Sequence, residues 1–163
     1  IDLGHKDIAI ITGSPNHYTS NGRLNGYKKA MTNAGLTITD DYIQCGDYCI
    51  DGGYEAMMRL CKLSKRPTAI FISNYDMTIG AYLAINYLRL KIPDDISVIG
   101  FDNFPLANVV NPPLSFAEQP TNVMGTEAGK LLYRRICGDY SDYPKTIMHK
   151  PTMHYKESIR QLT

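Results

Sequence analysis

Two apolar patterns alternate along the chain: short continuous runs, and longer stretches in which apolar residues recur at helical spacing. The clearest unit lies in residues 66–104. Thr68–Ser73 is a continuous apolar run with β-branched residues, bounded by Pro67 and Asn74, as suits a strand buried on both faces in a parallel sheet. Met77, Gly80, Ala81, Ala84, Ile85 and Leu88 then share one face at helical spacing, which predicts a helix over 76–90 capped by Asn74 or Asp76. Lys91 to Asp95, with Pro93, is a polar stop, and Ile96–Phe101 is a second strand. Strand, helix and strand together have the length of a parallel βαβ crossover.

The same alternation extends to both sides. Asp7–Gly13 reads as a buried strand, followed by a polar loop over 14–21 and a helix over 22–33 that ends at Ala34-Gly35. Tyr42–Tyr48 reads as a short strand running into a loop. Gly52–Leu63 reads as a helix with Tyr54, Met57, Met58 and Cys61 on its apolar side. A short helix or turn is predicted from Phe104 to Pro113, a strand over Leu114–Glu118, and a helix over Thr121–Cys137. The buried stripe of that last helix is expected to be Val123, Met124, Ala128, Leu131, Leu132 and Ile136. A loop over 139–144 leads to a final extended segment, 146–156. The pattern is that of an α/β protein, a parallel sheet flanked by helices.

In a parallel sheet the polar residues just past the strand ends share one edge, where open α/β sheets bind ligands. Asn74 and Asp102 lie there. Arg23, at the start of its predicted helix, is either a solvated cation or a planar fork of donors aimed at that edge. Tyr48, just past its strand, is either packing or a stacking surface.

Composition narrows the chemistry. The 163 residues are 44 % hydrophobic and 20 % charged with a net charge of +1, so the chain lacks the basic excess that phosphate contacts with nucleic acid require. Neither a run of membrane-spanning length nor a signal-peptide pattern is present, and the start at Ile1 without Met suggests that the natural start lies upstream. Cys45, Cys49, Cys61 and Cys137 have neither CxxC nor zinc-finger spacing and read as reduced thiols. His149 and His154, five apart in one extended segment, would lie on opposite faces, so no metal site is expected. Gly13, between strand and loop, fits neither phosphate-binding glycine motif. A catalytic serine elbow, a zincin motif and a P-loop are all missing, so neither an enzyme nor a cofactor is expected.

Pro67-Thr68-Ala69-Ile70-Phe71, Asp76-Met77-Thr78-Ile79-Gly80-Ala81 and Ile92-Pro93-Asp94-Asp95-Ile96-Ser97-Val98-Ile99-Gly100-Phe101-Asp102-Asn103 together resemble the effector-binding core of the LacI/GalR family of bacterial transcription regulators. Gly22-Arg23-Leu24-Asn25-Gly26-Tyr27 matches a further pattern of that family. The resemblance implies a periplasmic-binding-protein type I fold in which 1–113 form the core of the C-terminal lobe. By the same resemblance 114–138 cross toward the other lobe, 139–163 return, and the DNA-binding domain is absent. A crossing element without its partners should expose apolar surface or pair with another chain.

The implied function is a cytoplasmic regulator's module that binds a small-molecule effector, a sugar or related metabolite, and forms a homodimer. It would couple occupancy to operator DNA through a helix-turn-helix domain elsewhere in the protein, without a membrane partner. Ligand contacts implied are Arg23, Asn74 and Asp102 as hydrogen-bonders, Tyr48 as a stacking surface, and His17, Thr19 and Gln119 as lesser partners. Ile79, Leu83, Leu106 and Val110 are the dimer-interface candidates, with core packing as their other reading. The acidic residue after Asn74 is displaced by one from the family pattern, so only Asn74 of that stretch carries over. The alternative is a periplasmic sugar-binding protein of an ABC transporter.

Overall fold

Strand β1 (Ile8–Thr12) has β2 (Ile43–Cys45) on one side and β3 (Ala69–Ile72) on the other, and the sheet continues through β4 (Ser97–Phe101) and β5 (Ser115–Glu118) to β6 (Thr152–His154). This computed structural model describes residues 1–102 and 106–162, without the Leu106 side chain. Strands β1 to β5 are parallel, and β6 runs antiparallel to β5. The order β2-β1-β3-β4-β5-β6 brings the carboxyl ends of the parallel strands to one edge. A parallel α/β sheet with flanking helices is therefore the architecture, as expected.

Helices α1 (Tyr18–Asn33), α2 (Ile50–Lys62) and α3 (Tyr75–Tyr87) cover the sheet. Ile11, Ile70, Ile72, Val98, Leu114 and Phe116 pack one face against Met57, Leu60, Met77 and Ala81 of α2 and α3. Ile10 packs the other face against Tyr27 and Met31 of α1. The α2–α3 contact is backbone on backbone. A Cβ at Gly80 would lie 1.9 Å from the Ile50 carbonyl oxygen, and one at Gly53 would lie 2.3 Å from that of Met77.

Local chemistry sets the helix ends. Asn74 caps α3, its Oδ1 accepting the Met77 N–H at 3.0 Å. Gly35, at φ +66°, closes α1, with the Leu36 N–H donating to the Met31 carbonyl. That helix begins at Tyr18, a turn before the predicted Gly22. The His17 N–H donates to the Ser14 carbonyl and Asn21 Nδ2 to that of Pro15, so the polar stretch folds into the first turn, where no apolar periodicity marks it.

The C-terminal third differs more from the pattern. Ser115–Glu118 pair within this sheet, so the segment that leaves it is α5 (Thr121–Ile136). The expected buried stripe of α5 is not buried: none of its residues is, and Leu132 is 63 % and Ile136 75 % exposed. The periodicity is present, but no other element of the described residues covers it. From the last turn of α5, Arg134 and Arg135 reach Asp142, and Arg134 also reaches Asp139, which folds the 139–145 loop onto the helix end. Hydrogen bonds from the Ser141 hydroxyl and N–H and from Arg134 hold the Asp139 carboxyl below the usual carboxylate range, and those from Lys145, Arg135 and Arg134 do the same for Asp142.

The predicted extended segment 146–156 yields only Thr152–His154 as strand, and His149 lies outside it. Each histidine faces a glutamate, His149 to Glu127 at 3.0 Å and His154 to Glu118 at 2.6 Å. The last residues tie back through fully buried Ser158, whose Oγ donates to the Val98 carbonyl and accepts the Ser115 N–H, both at 2.7 Å. Of the stretch from Phe104 to Pro113, the described part begins with the helical turn α4 (Leu106–Val109); Asn103, Phe104 and Pro105 lie outside the described residues.

Candidate functional site

The strand register sets the order of groups along the carboxyl edge. Thr12 is opposite Cys45, Ile11 opposite Ile72, Phe71 opposite Ile99 and Phe101 opposite Ala117. Read across the sheet, the residues just past the strands are Tyr48, Gly13, Ser73 with Asn74, Asp102 and Gln119.

Tyr48 sits in a left-handed turn, with Asp47 at φ 49° and Tyr48 at φ 60°. That strained turn lays its ring over Gly13, where a Cβ would come within 2.1 Å of the ring. Its hydroxyl and that of Thr19 are 3.1 Å apart, and the His17 ring meets the Tyr48 ring edge-on with centroids 5.5 Å apart. Three of the sequence candidates thus form one cluster at the β1–β2 end.

Arg23 reaches the centre of the edge from the second turn of α1, not from the first as predicted. Its Nη1 donates to the Ser73 carbonyl, and its guanidinium carbon lies 3.8 Å from the centroid of the Phe101 ring. Among the described residues no carboxylate forms an ion pair with it. Half-buried and charged, Arg23 has a carbonyl and an aromatic face for company. Asn74 stands beside it and spends Oδ1 on its cap, which leaves the Nδ2 amide as the donor a ligand could use.

Asp102 lies one residue past β4 at φ 87°, where its N–H donates to the Ala117 carbonyl at 2.8 Å. Gln119 Nε2 donates to Asp102 Oδ1 at 2.5 Å, which turns the carboxylate along the edge. The edge therefore offers donors at its centre, an acceptor toward β5 and an aromatic face toward β2. Sequence reasoning missed Phe101. The signal was available, since alternation along β4 puts Phe101 on the same face as Ile99, the face that α1 partly covers. Of the interface candidates, Leu83 is 51 % exposed, Ile79 is half-buried, Val110 packs against the main core, and the Leu106 side chain lies outside the described residues. No group of three or more metal-ligating side chains forms among the described residues.

A parallel α/β sheet with polar and aromatic groups gathered at its carboxyl edge is the form of a ligand-binding lobe. Residues 1–159 match the family model of the periplasmic binding protein-like domain, and the chain belongs to that family. The resemblance to LacI-family regulators is carried by the relatives as well. The HTH-type transcriptional repressor PurR of Histophilus somni (strain 2336) is 40 % identical over 162 residues, which cover 99 % of this chain and 48 % of that protein. The ribose operon repressor of Escherichia coli (strain K12) is 42 % identical over 136 residues, 83 % of this chain and 41 % of that protein. Among solved structures, a sugar-binding transcriptional regulator of the LacI family from Escherichia coli, complexed with phosphate, matches with a TM-score of 0.86 at 31 % identity, over 99 % of this chain and 57 % of that one. The chain spans about half the length of the curated relatives it matches.

Proposed function

We propose that the chain is the C-terminal part of the effector-binding domain of a LacI-type transcriptional regulator, and that the carboxyl edge of its sheet is half of the site for a small-molecule effector, most simply a sugar. The observation that carries this reading is the row of Tyr48, Arg23, Asn74 and Asp102, with Gln119 behind Asp102, on adjacent strand ends. Such a row can give and accept hydrogen bonds along a polyhydroxylated ring while Tyr48 faces its apolar side. His17 and Thr19 hold Tyr48 and are lesser contacts. The names of the ribose operon repressor and of the sugar-binding regulator support the sugar class for those proteins.

In this reading α5 packs in a second lobe, and effector binding between the lobes favours one relative orientation. That orientation sets how a homodimer presents its DNA-binding domains to operator DNA, in the cytoplasm. The exposed face of α3 that carries Ile79 and Leu83 forms the dimer contact, with Leu106 and Val110 as the further candidates. Binding suits this edge better than turnover, because among the described residues it assembles no nucleophile with a base; in this reading the module is a sensor and not an enzyme. No helix of the described residues is long and apolar enough to cross a membrane.

The test is calorimetric titration of sugars, sugar phosphates and purines into the longer protein that carries this chain, repeated with Asp102→Ala. Saturable binding of one class that the substitution abolishes supports the site. Binding that survives it moves the site elsewhere, and an absence of binding across the panel removes the small-molecule reading.

A further inference from the structure

The geometry points to Phe101 as a positioning residue for ligand recognition: its ring holds the Arg23 guanidinium flat across the carboxyl edge without neutralising it. This inference rests on the effector-site reading above.

Arg23 is a long side chain, half-buried on α1, and without fixed partners it would sample many rotamers. Two contacts restrict it: Nη1 donates to the Ser73 carbonyl past β3, and the guanidinium lies over the Phe101 ring at the end of β4. A carbonyl fixes one nitrogen but leaves the plane free to turn; a ring beneath fixes the plane. The ring is itself fixed. Phe71 meets it edge-on with centroids 6.4 Å apart, and Phe71 packs against the core that Ile10, Tyr27 and Met31 form with α1. Helix, Phe71, Phe101 and Arg23 thus close a loop of contacts that returns to the same helix.

The choice of an aromatic has a consequence for recognition. A carboxylate could hold Arg23 as firmly, but it would take up to two of the five N–H donors and offset the charge that a ligand would use. A π face attracts the cation through its quadrupole and takes none of the N–H donors, which lie in the guanidinium plane. Arg23 is therefore oriented and part-desolvated while its remaining donors stay in reach of a ligand. Phe101 and Asp102 then divide the work between adjacent residues, one orienting the donor and the other supplying the acceptor.

The test uses the 15N-labelled longer protein that carries this chain and the Arg23 Nε–Hε signal, assigned by its loss in Arg23→Lys. Ring stacking should move that signal upfield and slow its exchange with water. Phe101→Leu should abolish both effects, and Phe101→Tyr should keep them, with backbone spectra reporting the fold. Phe101→Met serves as a second ringless variant should Phe101→Leu lose the native spectrum. With D-ribose as the probe, the ringless variant should bind about two- to thirty-fold more weakly than wild type and Phe101→Tyr within about two-fold, the span expected for one cation–π contact. An Arg23 signal unchanged by loss of the ring, or a lost stack with unchanged ribose affinity, overturns the inference. Failure of the wild type to bind ribose would count against the sugar reading, and the Arg23 signal would still decide the positioning.

Discussion

Gly80→Ala should destabilise the chain, although alanine in a helix interior normally gains about 1 kcal/mol over glycine. The new Cβ would sit 1.9 Å from the Ile50 carbonyl oxygen and 2.6 Å from the Tyr54 nitrogen. Both atoms are α2 backbone, so no rotamer change relieves the clash and α2 and α3 must separate. Overpacking of this kind costs about 1–3 kcal/mol, and rigid backbone partners put it at the upper end. Subtracting the propensity gain leaves a loss of about 2 kcal/mol, or about 4–8 °C in Tm for a chain of this size. The internal control is Gly26→Ala in α1, where nothing lies within 4 Å of the new Cβ. That variant should gain up to about 1 kcal/mol. Thermal and urea unfolding, each on both variants, decide the matter. A Gly80→Ala chain as stable as wild type would refute the claim that α2 and α3 meet backbone to backbone.

Ser158→Ala should cost about 1–3 kcal/mol in urea unfolding, since it leaves the Ser115 N–H and the Val98 carbonyl without this buried partner. His5 is buried between Thr68 and the Arg160 carbonyl, and burial lowers its pKa from 6.5. Below pH 6.5 the unfolded chain then binds a proton that the folded chain does not. Stability from this group is complete above pH 6.5 and is lost as pH falls from there through the folded pKa. Urea midpoints of wild type and His5→Gln across pH 7.5 to about 5 check it: the variant should lack that part of the slope. Hydrogen exchange should find the amides of α5 among the least protected in the chain, because no residue of that helix is buried. Protection of α5 equal to that of α3 would mean that its apolar face is covered in solution.

The strands and the inner helices were legible because burial on both sheet faces writes itself into continuous apolar runs. Thr68–Ser73 and Ile96–Phe101 became β3 and β4 within a residue or two, and Met77, Ala81 and Ala84 face the core as their spacing predicts. Periodicity says which face is apolar, however, not what covers it, and so α5 was assigned a buried stripe that this chain leaves open. Polar starts were also hidden, as at Tyr18, where the first turn is set by hydrogen bonds and not by an apolar stripe. At the carboxyl edge, alternation and strand ends located Asn74 and Asp102. Which residue pairs with which was not legible, because the Asp102–Gln119 and Arg23–Phe101 contacts join residues far apart in sequence through the strand order.

Those partners bear on how such a site would work. Asn74 spends Oδ1 on its cap, Asp102 receives Gln119 on Oδ1, Arg23 gives Nη1 to Ser73, and the Tyr48 hydroxyl meets Thr19. Each group is held by one end within the lobe and offers the other end to a ligand. Immobilising a side chain on binding costs about 0.5–1.5 kcal/mol, and here folding has already met that cost. The half-site in this reading is therefore rigid before the ligand arrives, and any conformational response must come from contacts that only the closed arrangement of two lobes adds. A ligand with equal affinity for open and closed states shifts nothing, however tightly it binds. A sugar small enough to satisfy Arg23, Asn74 and Asp102 while touching nothing on the opposite lobe should therefore occupy the site and block it, yet leave operator affinity unchanged. On the proposed reading, an effector has to span the cleft.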